Sequence, residues 1–358
     1  MRLRALTSPW AAIMKLGDIS VSYLLSLRAA ITQLQLDPTP LLERFGITET
    51  LLSEPHARIS IARFMRLGNA AIRYTQNPAI GLLMGAQSQL SHQGLAGMTA
   101  QCAPTLEDAF NVMVKYERLT SQNYRGHSSF CAPALRFYSI APYNMFNLFV
   151  VDSALASRAQ TANQMTGGQA KLREVHIEFP APTYAARYEA LFQCPVLFSQ
   201  AHNQLLWEPR SLALQPVQSA PGHYQHLLTL CEQRLHELTR QRGLRERVES
   251  IVAPQLHQRL PGIMEVAQQL GLPSWTLRRR LQQEDHTRFQ DIIDDIRREL
   301  AVSYIRDTEL ALGEITFLLG FSSPEAFQRA FKRWTGSAPG SYRRALLGEG
   351  KRSEGVER

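Results

Sequence analysis

Hydrophobic and polar positions in the first 210 residues follow two different periods. In some segments apolar residues recur every three to four positions, which predicts amphipathic helices; in others they alternate with polar residues, which predicts strands. Predicted helices begin near Tyr23 and Ile59 and cover 105–116, 144–162 and 184–192, and predicted strands cover 94–100, 135–140, 175–179 and 204–207. Because strands and helices alternate, this part of the chain is predicted to be an α/β or α+β domain.

A segment containing proline, serine and glutamine, Pro209–Pro221, follows the last predicted strand and indicates a domain boundary. Beyond it, apolar residues recur at helical spacing from Leu227 to Leu238, which predicts a helix that ends near Gly243. The pattern allows two roles for this helix. It either joins two domains or pairs with its twin in a dimer, or it packs on its own domain.

One pattern occurs twice near the C-terminus. Each copy has a short apolar helix, a glycine, and then a second helix with one apolar and one basic edge. The first copy turns at Gly271 and the second at Gly320, and glycine readily adopts the left-handed conformation that ends a helix. This layout predicts two helix-turn-helix units in an all-α domain. In that motif the second helix enters the major groove of DNA.

In the first unit, Leu277 and Leu281 form the inner edge of the second helix. The outward candidates for contact with DNA are Trp275, Thr276, Arg278, Arg279 and Arg280. Arginine binds guanine O6 and N7 through two hydrogen bonds, or a phosphate as a charge. Adjacent residues point about 100° apart on a helix, so at most two of the three arginines face one groove. Trp275 either contacts a thymine methyl or a sugar, or packs against the preceding helix.

In the second unit, Phe327 and Phe331 form the inner edge of the second helix. The outward candidates are Ser323, Glu325, Gln328, Arg329 and Lys332. Ser322 and Glu325 match an S-x-x-E capping box, so we expect Glu325 to cap the helix more readily than it reads a base, although a carboxylate can accept from cytosine N4. Ser323 is expected to contact a phosphate.

Apolar residues between the two units, from Phe289 to Arg306, also recur at helical spacing. A helix of about 18 residues is roughly 27 Å long. Such a helix can hold two recognition helices about one DNA turn, ~34 Å, apart. One chain would then read two successive segments of the major groove.

Net charge adds little to this prediction. The chain carries a formal charge of +8, yet residues 244–344 contain 15 Lys+Arg and 13 Asp+Glu, a difference of +2. Local clusters such as 278–280 therefore matter more to DNA binding than the total charge.

The four cysteines, Cys102, Cys131, Cys194 and Cys231, form no CxxC pair and no cluster with histidine. Their spacing argues against a zinc site and a disulfide framework, so we expect free, mostly buried thiols and neither a metal nor a cofactor. The sequence has no long apolar run of the kind that spans a bilayer and no evident signal peptide, so we expect a cytoplasmic protein without a membrane partner.

Several motifs of the two units belong together. They are Val266-Ala267-x-x-Leu270-Gly271 and Thr276-Leu277-x-Arg279-x-Leu281 in the first, and Leu319-Gly320-Phe321-Ser322, Ala326-Phe327-x-Arg329-Ala330-Phe331-Lys332-Arg333-Trp334 and Pro339-x-x-Tyr342-Arg343 in the second. With them the chain resembles the AraC/XylS family of bacterial transcription regulators. The resemblance implies that the base-facing residues are Trp275, Arg278 and Arg279 in the first unit and Glu325, Gln328 and Arg329 in the second. It also implies a nucleoid-associated protein.

Three positions depart from the family pattern. Pro273 replaces the usual serine N-cap, so the first recognition helix is expected to start at Ser274. Pro261-Gly262 replaces a polar entry to the first leading helix, and Thr316 stands where alanine is common. The first unit is therefore expected to be the less rigid of the two.

The N-terminal half is similar to the arabinose-binding-like sensor and dimerisation domain of one AraC-type subgroup. The motifs that carry the similarity are Gly17-Asp18-Ile19-Ser20-Val21, Pro78-Ala79-Ile80-Gly81-Leu82, Pro104-Thr105-Leu106-Glu107-Asp108-Ala109 and Leu191-Phe192-x-Cys194-Pro195-Val196. The similarity implies a regulator, an activator by expectation, that binds promoter DNA as a homodimer, responds to a small-molecule effector and contacts RNA polymerase. It does not imply that arabinose is the effector.

We expect a sensor domain over 17–210, a linker with a connecting helix over 211–243 and a DNA-binding domain over 244–346. Residues 1–16 and 347–358 are expected to be disordered. Aromatic residues that line an effector pocket or, more readily, fill the core are Tyr116, Tyr138, Phe146, Phe149 and Trp207.

Two other functions compete with a ligand-controlled regulator. Helices of this type also occur fused to DNA-repair domains that use a zinc-held cysteine, but that chemistry needs clustered cysteines, so we do not expect an enzyme. The second alternative is a constitutive DNA-binding regulator whose N-terminal domain only dimerises.

Overall fold

The structure is a computed structural model that describes residues 18–345 except 55–56, 123–125, 140–142, 144, 241–242, 257–259 and 308–309. The described residues of 18–240 form one compact unit and those of 243–345 form another. We call them the N-terminal unit and the C-terminal unit. The extensions expected at 1–16 and 347–358 lie outside the described residues.

Eleven α-helices are seen within the described part of the N-terminal unit. They are α1 (Tyr23–Gln33), α2 (Thr39–Arg44), α3 (Glu49–Ser53), α4 (Ile61–Thr75), α5 (Ile80–Ala86), α6 (Gly94–Gln101), α7 (Leu106–Lys115), α8 (Met145–Met165), α9 (Ala186–Phe192), α10 (Pro209–Leu212) and α11 (Pro221–Arg240).

Two sheets complete this unit. Strands β1 (Asp18–Ser20) and β2 (Arg58–Ser60) pair antiparallel. The larger sheet consists of β3 (His127–Cys131), β4 (Ala134–Tyr138), β5 (Leu172–His176), β6 (Val196–Leu197) and β7 (Gln204–Trp207), in the spatial order β3-β4-β7-β5-β6. All of its pairs are antiparallel except β5 with β6. The mixed α/β class predicted for this half is confirmed.

Glycines allow α5 to pack closely on α8. A Cβ atom at Gly81 would lie 2.8 Å from the Phe149 carbonyl oxygen, and one at Gly85 would lie 2.7 Å from the Ser153 carbonyl oxygen. These distances are too short for a carbon atom, so the two helices meet backbone to backbone. Phe149 is fully buried beside them, where its ring lies 5.4 Å from that of Phe64.

Helix α11 packs on its own unit through one face. Cys231 is fully buried, with its Sγ 3.2 Å from Thr99 Oγ1 on α6. Tyr116 donates a hydrogen bond of 2.7 Å to Glu232, which also pairs with Lys115 at 3.1 Å. Of the roles that the sequence left open for this helix, packing on its own domain is the one that these contacts show.

The strand predicted over 94–100 is wrong, because these residues form helix α6. A Cβ atom at Gly97 would overlap the carbonyl oxygen of Leu90 in the preceding 3-10 turn. Close packing on this turn thus explains the glycine at position 97. Gly94 lies where the 3-10 turn ends and has a backbone φ of +54°, a conformation that favours glycine.

Six α-helices of the C-terminal unit lie within the described residues. They are α12 (Leu244–Val252), α13 (Ile263–Gln269), α14 (Ser274–Glu284), α15 (Phe289–Asp307), α16 (Leu312–Leu318) and α17 (Pro324–Thr335). Residues 339–345 are also helical. The long α15 buries Ile292, Ile293 and Ile296 as its periodicity predicted, and 19 residues correspond to roughly 28 Å of helix.

The cysteines are all free, but only Cys231 is fully buried and Cys131 is exposed, so the expectation of mostly buried thiols is wrong. Burial raises the pKa of the Cys194 thiol to about 11. Within the described ranges, no helix is both long and apolar enough to cross a membrane. The same residues bring together no three His, Cys, Asp or Glu side chains in a metal-binding arrangement.

Candidate nucleic-acid interface and effector cavity

The first helix-turn-helix unit consists of α13 and α14, which meet at Gly271. Gly271 has a φ of +68°, the left-handed conformation that favours glycine. Its N–H donates to the Gln268 carbonyl at 3.1 Å, and the Leu272 N–H donates to the Ala267 carbonyl at 2.9 Å. This pair of hydrogen bonds is a Schellman motif, which ends one helix and sets the direction of the next.

The second unit, α16 and α17, repeats this turn atom for atom. Gly320 has a φ of +66°, its N–H donates to the Phe317 carbonyl at 2.9 Å, and the Phe321 N–H donates to the Thr316 carbonyl at 3.1 Å. Unlike Gly271, which has open space around it, Gly320 lies against the Leu256 carbonyl oxygen, which a Cβ atom would overlap. Backbone geometry favours glycine in both turns, and packing requires it in the second.

The entry to both leading helices is also duplicated. Glu265 accepts a hydrogen bond of 3.0 Å from the Gly262 N–H, and Glu314 accepts one of 2.6 Å from the Ala311 N–H. Each glutamate occupies the third helical position and satisfies an N–H that the helix leaves open. Pro261-Gly262 therefore still gives α13 a capped start, although the usual polar residue is missing.

Helix α14 begins at Ser274, as the sequence predicted from Pro273. Pro273 occupies the N-cap position and provides no side-chain hydrogen bond to the helix. Leu277 and Leu281 are fully buried and fix the inner face of α14. Trp275 lies on the outer face with 63% of its surface exposed, so packing against the preceding helix is not its role.

The three arginines of α14 differ in their surroundings. Arg278 and Arg279 are exposed, and the Arg279 guanidinium lies 5.4 Å from the centre of the Trp275 ring. Arg280 is half-buried and forms two hydrogen bonds with Glu284, at 2.6 and 3.1 Å, one turn further along the helix. Thr276 is also half-buried. Arg278, Arg279 and Trp275 are therefore the best exposed of the five predicted residues.

In the second unit, the capping box predicted for Ser322 and Glu325 is wrong. The N-cap of α17 is Ser323, whose Oγ accepts a hydrogen bond of 3.2 Å from the Ala326 N–H, and Pro324 is the first helical residue. Glu325 lies in the first turn, fully exposed, where its own backbone N–H and Ser323 lower the pKa of its carboxyl. Ser323 thus has a structural role, and Glu325 remains on the outer surface.

Gln328, Arg329 and Lys332 are all exposed on α17, while Phe327 and Phe331 on the opposite face are fully buried. The structure thus brings the sequence-predicted candidates of α17 to one outer surface. Arg333 points elsewhere, since it pairs with Asp294 of α15 at 3.2 Å.

An aromatic cluster underlies α17. Phe321 lies 5.6 Å from Phe327 and 6.0 Å from Trp334, measured between ring centres, and Phe331 lies 5.4 Å from Tyr342. Aromatic pairs at these distances contribute beyond the area that they bury. The aliphatic inner face of α14 has no such cluster among the described residues.

Arg297 of α15 positions the second turn, and no pattern in the sequence indicates this role. It donates hydrogen bonds of 3.0 Å to the Leu319 and Gly320 carbonyls at the end of α16, and its guanidinium lies 4.7 Å from the centre of the Phe321 ring. A cation at a helix C-terminus satisfies open carbonyls and interacts well with the helix dipole. Arg297 therefore fixes the second turn to α15, the helix that joins the two helix-turn-helix units.

The N-terminal unit contains a cavity of about 570 Å³, counting its opening to solvent. Its walls come from both sheets and from α1, α4, α5 and α8, and its apolar residues include Ile19, Ile61, Phe64, Met84 and Val150. A second cavity lies beside it and shares four wall residues, namely Tyr23, Glu117, Ser157 and Arg158. A mostly apolar lining with a few polar groups is typical of ligand-binding pockets in proteins.

The only charged residues on the walls of the two cavities, within the described part of the unit, are Glu117 and Arg158. They form an ion pair of 2.7 Å, with 14% and 16% of their side chains exposed. Ser128 donates to both carboxylate oxygens of Glu117, from N–H and Oγ, each at 2.8 Å. The Arg158 guanidinium also lies 5.0 Å from the Phe137 ring centre and bonds to the Ala154 carbonyl at 2.9 Å.

Of the aromatic residues proposed as pocket-lining from the sequence, none whose side chain the structure describes lies on these walls. Tyr116, Phe149 and Trp207 are buried in the core, as the alternative held, and Tyr138 is partly exposed on β4. The side chain of Phe146 lies outside the described residues. Cavity walls collected from six elements leave no periodic signal in the sequence.

The two duplicated turns, the exposed outer faces and the buried inner faces define a DNA-binding protein of the helix-turn-helix class. Comparison with known families agrees. The arabinose-binding domain of AraC transcription regulators matches residues 36–216, and a helix-turn-helix domain matches residues 266–345. The chain belongs to the AraC family of transcription regulators.

Curated relatives match over nearly the whole chain. The ornithine utilization regulator of Pseudomonas aeruginosa is 27% identical over 334 residues, which cover 91% of this chain and 96% of the relative. The regulator VirS of Mycobacterium tuberculosis is 27% identical over 315 residues, which cover 87% and 92%. Among solved structures, the regulator CdpR of Pseudomonas aeruginosa aligns with a TM-score of 0.42 at 21% identity, covering 90% of this chain and 98% of CdpR.

Proposed function

We propose that this AraC-family regulator reads promoter DNA with the outer faces of α14 and α17 and that its N-terminal unit senses a small molecule. The observation that carries the DNA-reading part is the duplication of the turn, which presents two exposed faces of similar design. In this proposal Trp275, Arg278 and Arg279 contact bases from α14, and Glu325, Gln328 and Arg329 do so from α17.

The remaining candidates have supporting roles. Lys332 is exposed beside Arg329, one turn further along α17, and suits a phosphate. Arg280, Thr276 and Ser323 contribute less to binding, because Arg280 is paired with Glu284, Thr276 is half-buried and Ser323 caps α17.

The direct test is gel-shift binding of the full chain to its promoter. Arg279→Ala and Arg329→Ala should each weaken specific binding by about 1–3 kcal/mol, since each removes an arginine that can bind a base edge. Arg280→Ala and Arg333→Ala are matched controls on the same helices, and both should bind within about threefold of wild type because their side chains are engaged within the protein. Wild-type affinity in both Arg279→Ala and Arg329→Ala would refute readout by these faces.

Effector control rests on the cavity of the N-terminal unit. The Pseudomonas aeruginosa relative is named for ornithine utilization, and we propose that this chain likewise responds to a small metabolite. Promoter occupancy of the full chain should change when a metabolite extract is added. Ala154→Phe, which fills a cavity wall, should abolish that response and leave DNA binding intact. Occupancy that no extract changes would favour the constitutive alternative.

We further propose that the protein acts as a homodimer and activates transcription through contact with RNA polymerase. Sedimentation of the full chain, and transcription in vitro from its promoter with and without the protein, test these two points. A monomer, or a promoter that the protein represses, would refute the respective part.

A further inference from the structure

The ion pair of Glu117 and Arg158 has an unusual place for a structural salt bridge. It lies on the wall shared by the two cavities, beside Tyr23 and Ser157, while the rest of the larger cavity is mostly apolar. A buried pair contributes little net stability, because the loss of hydration offsets the attraction between its charges. Among the described wall residues this pair is the only charged group, and its position in a mostly apolar cavity points to a role in ligand binding.

The charge balance of the walls restricts the ligand. A lone carboxylate that binds Arg158 would face Glu117, and a lone ammonium that binds Glu117 would face Arg158. Either ligand would leave one charge of the pair without its partner in a place with little water, which is strongly unfavourable. A ligand that carries both charges gives each residue a new partner and keeps the site neutral.

We propose that the cavity binds a zwitterion with an apolar body, of the α-amino-acid type, whose carboxylate is held by Arg158 and whose ammonium is held by Glu117. The proposal rests on the proposed function, in that the cavity is taken to be the effector site. Ser128, which donates to both carboxylate oxygens of Glu117, keeps that residue in place when Arg158 turns to the ligand.

The remaining walls fit the apolar body. Ile19, Ile61, Phe64, Met84 and Val150 come from four different elements and line the larger cavity. Burying an aliphatic or aromatic side chain against such walls favours binding. A ligand side chain that carries a further charge would find no partner among the described wall residues, of which only Glu117 and Arg158 are charged.

The test uses calorimetry and thermal shift of the full chain with three amino acids, L-leucine, L-methionine and L-phenylalanine. Each is compared with its deaminated acid, its decarboxylated amine and the corresponding uncharged alcohol. At least one of the three amino acids should bind, and its acid, amine and alcohol should each bind at least about tenfold more weakly, a difference of 1.4 kcal/mol.

Variants assign the two charges. Glu117→Gln should remove most of the difference between amino acid and acid, and Arg158→Gln most of the difference between amino acid and amine. Either single variant leaves one buried charge unpaired and is at risk of misfolding. The double variant E117Q/R158Q avoids this and should bind amino acid, acid and amine alike. Arg28→Gln is the matched control, because it breaks an ion pair of 2.9 Å with Glu49 at the exposed surface of the same unit.

Failure of the zwitterion proposal can be distinguished from failure of effector control. If an acid, amine or alcohol binds as tightly as its amino acid, or if none of the three amino acids binds, the zwitterion proposal is overturned. Effector control itself is judged separately, by whether a metabolite extract changes promoter occupancy. If the metabolite that changes occupancy is not a zwitterion, effector control stands and only the proposed ligand class is refuted.

Discussion

The two helix-turn-helix units have the same backbone hydrogen bonds and different surroundings. Both turns are Schellman motifs at a left-handed glycine, and both leading helices start with a glutamate that accepts from the N-cap N–H. Around the first turn there is open space, an uncapped proline and an aliphatic inner face. Around the second there are a serine cap, an aromatic cluster and two arginine contacts with α15.

This difference teaches that the shape of the motif and its rigidity have separate origins. Shape comes from a glycine and main-chain hydrogen bonds, which the two copies share. Rigidity comes from side chains, and the second copy is tied to α15 by Arg297 and Arg333. We expect the first unit to adjust to DNA on binding and the second to bind with its turn already fixed. Four predictions test this contrast, in order of decreasing expected effect.

Replacing the two turn glycines should have very unequal effects. Gly320→Ala should lower the free energy of unfolding of the C-terminal unit by roughly 2–5 kcal/mol, from a strained φ and overlap with the Leu256 carbonyl. Gly271→Ala should lower it by only about 1–2 kcal/mol, because the strained φ is its one penalty. Urea unfolding followed by tryptophan fluorescence measures both.

The matched control is Gly313→Ala, at a helical glycine of α16 with open space around it, which should be neutral or slightly stabilising. Equal losses of unfolding free energy in Gly271→Ala and Gly320→Ala would show that packing against Leu256 does not contribute at the second turn.

Arg297 should affect the second unit alone. Arg297→Met removes two hydrogen bonds to carbonyls and the contact with Phe321, and should cost about 2–3 kcal/mol of stability. It should also weaken contacts made by α17 with DNA, while those made by α14 remain. Footprinting of the two half-sites separates these effects.

Arg297→Lys keeps the charge but not the forked geometry, so it should recover only part of the loss. The exposed Arg288→Gln is the control, since its partner Asp291 lies on the surface of the same helix. Equal loss of both half-sites in Arg297→Met would indicate general unfolding instead of misplacement of α17.

Glu299 should make the shared helix α15 pH-dependent. Burial, with Glu249 and Asp295 nearby, raises the pKa of its carboxyl to about 7, although Arg298 and Arg245 oppose the shift. The folded pKa is above the unfolded one, so the folded protein binds more protons between about pH 4.5 and 7, and stability falls as the pH rises through that window. Glu299→Gln should gain on wild type by about 1–3 kcal/mol between pH 5 and pH 8.

The gain is measured as the difference in unfolding free energy between variant and wild type at the two pH values. Because α15 joins the two helix-turn-helix units, the tryptophan signals of the first helix-turn-helix unit (Trp275) and of the second (Trp334) should report the same change. A difference that does not vary with pH would mean that Glu299 is ionised in the folded protein throughout this range.

Exchanging the caps should reduce the contrast by the smallest amount. Ser323→Ala removes the hydrogen bond to the Ala326 N–H and should cost about 1 kcal/mol. Pro273→Ser should instead stabilise the first unit by about 0.5–1 kcal/mol, since the backbone there already has the extended conformation of an N-cap. A loss of stability in Pro273→Ser would show that the rigid proline contributes more than a cap does.

The sequence predicted what local rules determine. Periodicity located α8, α15 and the two leading helices, and the glycines located both turns. The cap of α17 was assigned one residue too early, although Pro324 held the correct signal, since proline favours the first helical position and thereby makes Ser323 the cap. The strand predicted for the short segment 94–100 failed for a different reason, because Gly97 serves packing against Leu90 that no local pattern shows.

Long-range contacts were beyond the sequence. In the sequence, Arg297 looks like any polar residue on a helix. Only the fold brings it to the carbonyl of Leu319, which lies 22 residues further along the chain. Glu117 and Arg158 are 41 residues apart in the sequence, and only the folded chain brings Glu117, in the turn after α7, against Arg158 of α8. A single sequence contains no local signal for such pairs.

The duplicated Schellman turn also bears on engineering. The chain needs two residues, Leu272 and Pro273, to pass from the first glycine to its recognition helix, and three, Phe321 to Ser323, in the second. One residue corresponds to about 100° of helical rotation, so exchanging single contact residues between α14 and α17 would not exchange specificities. A graft that keeps the contact residues facing the groove must transfer 272–284 or 321–335 as a whole, with the spacer residues included.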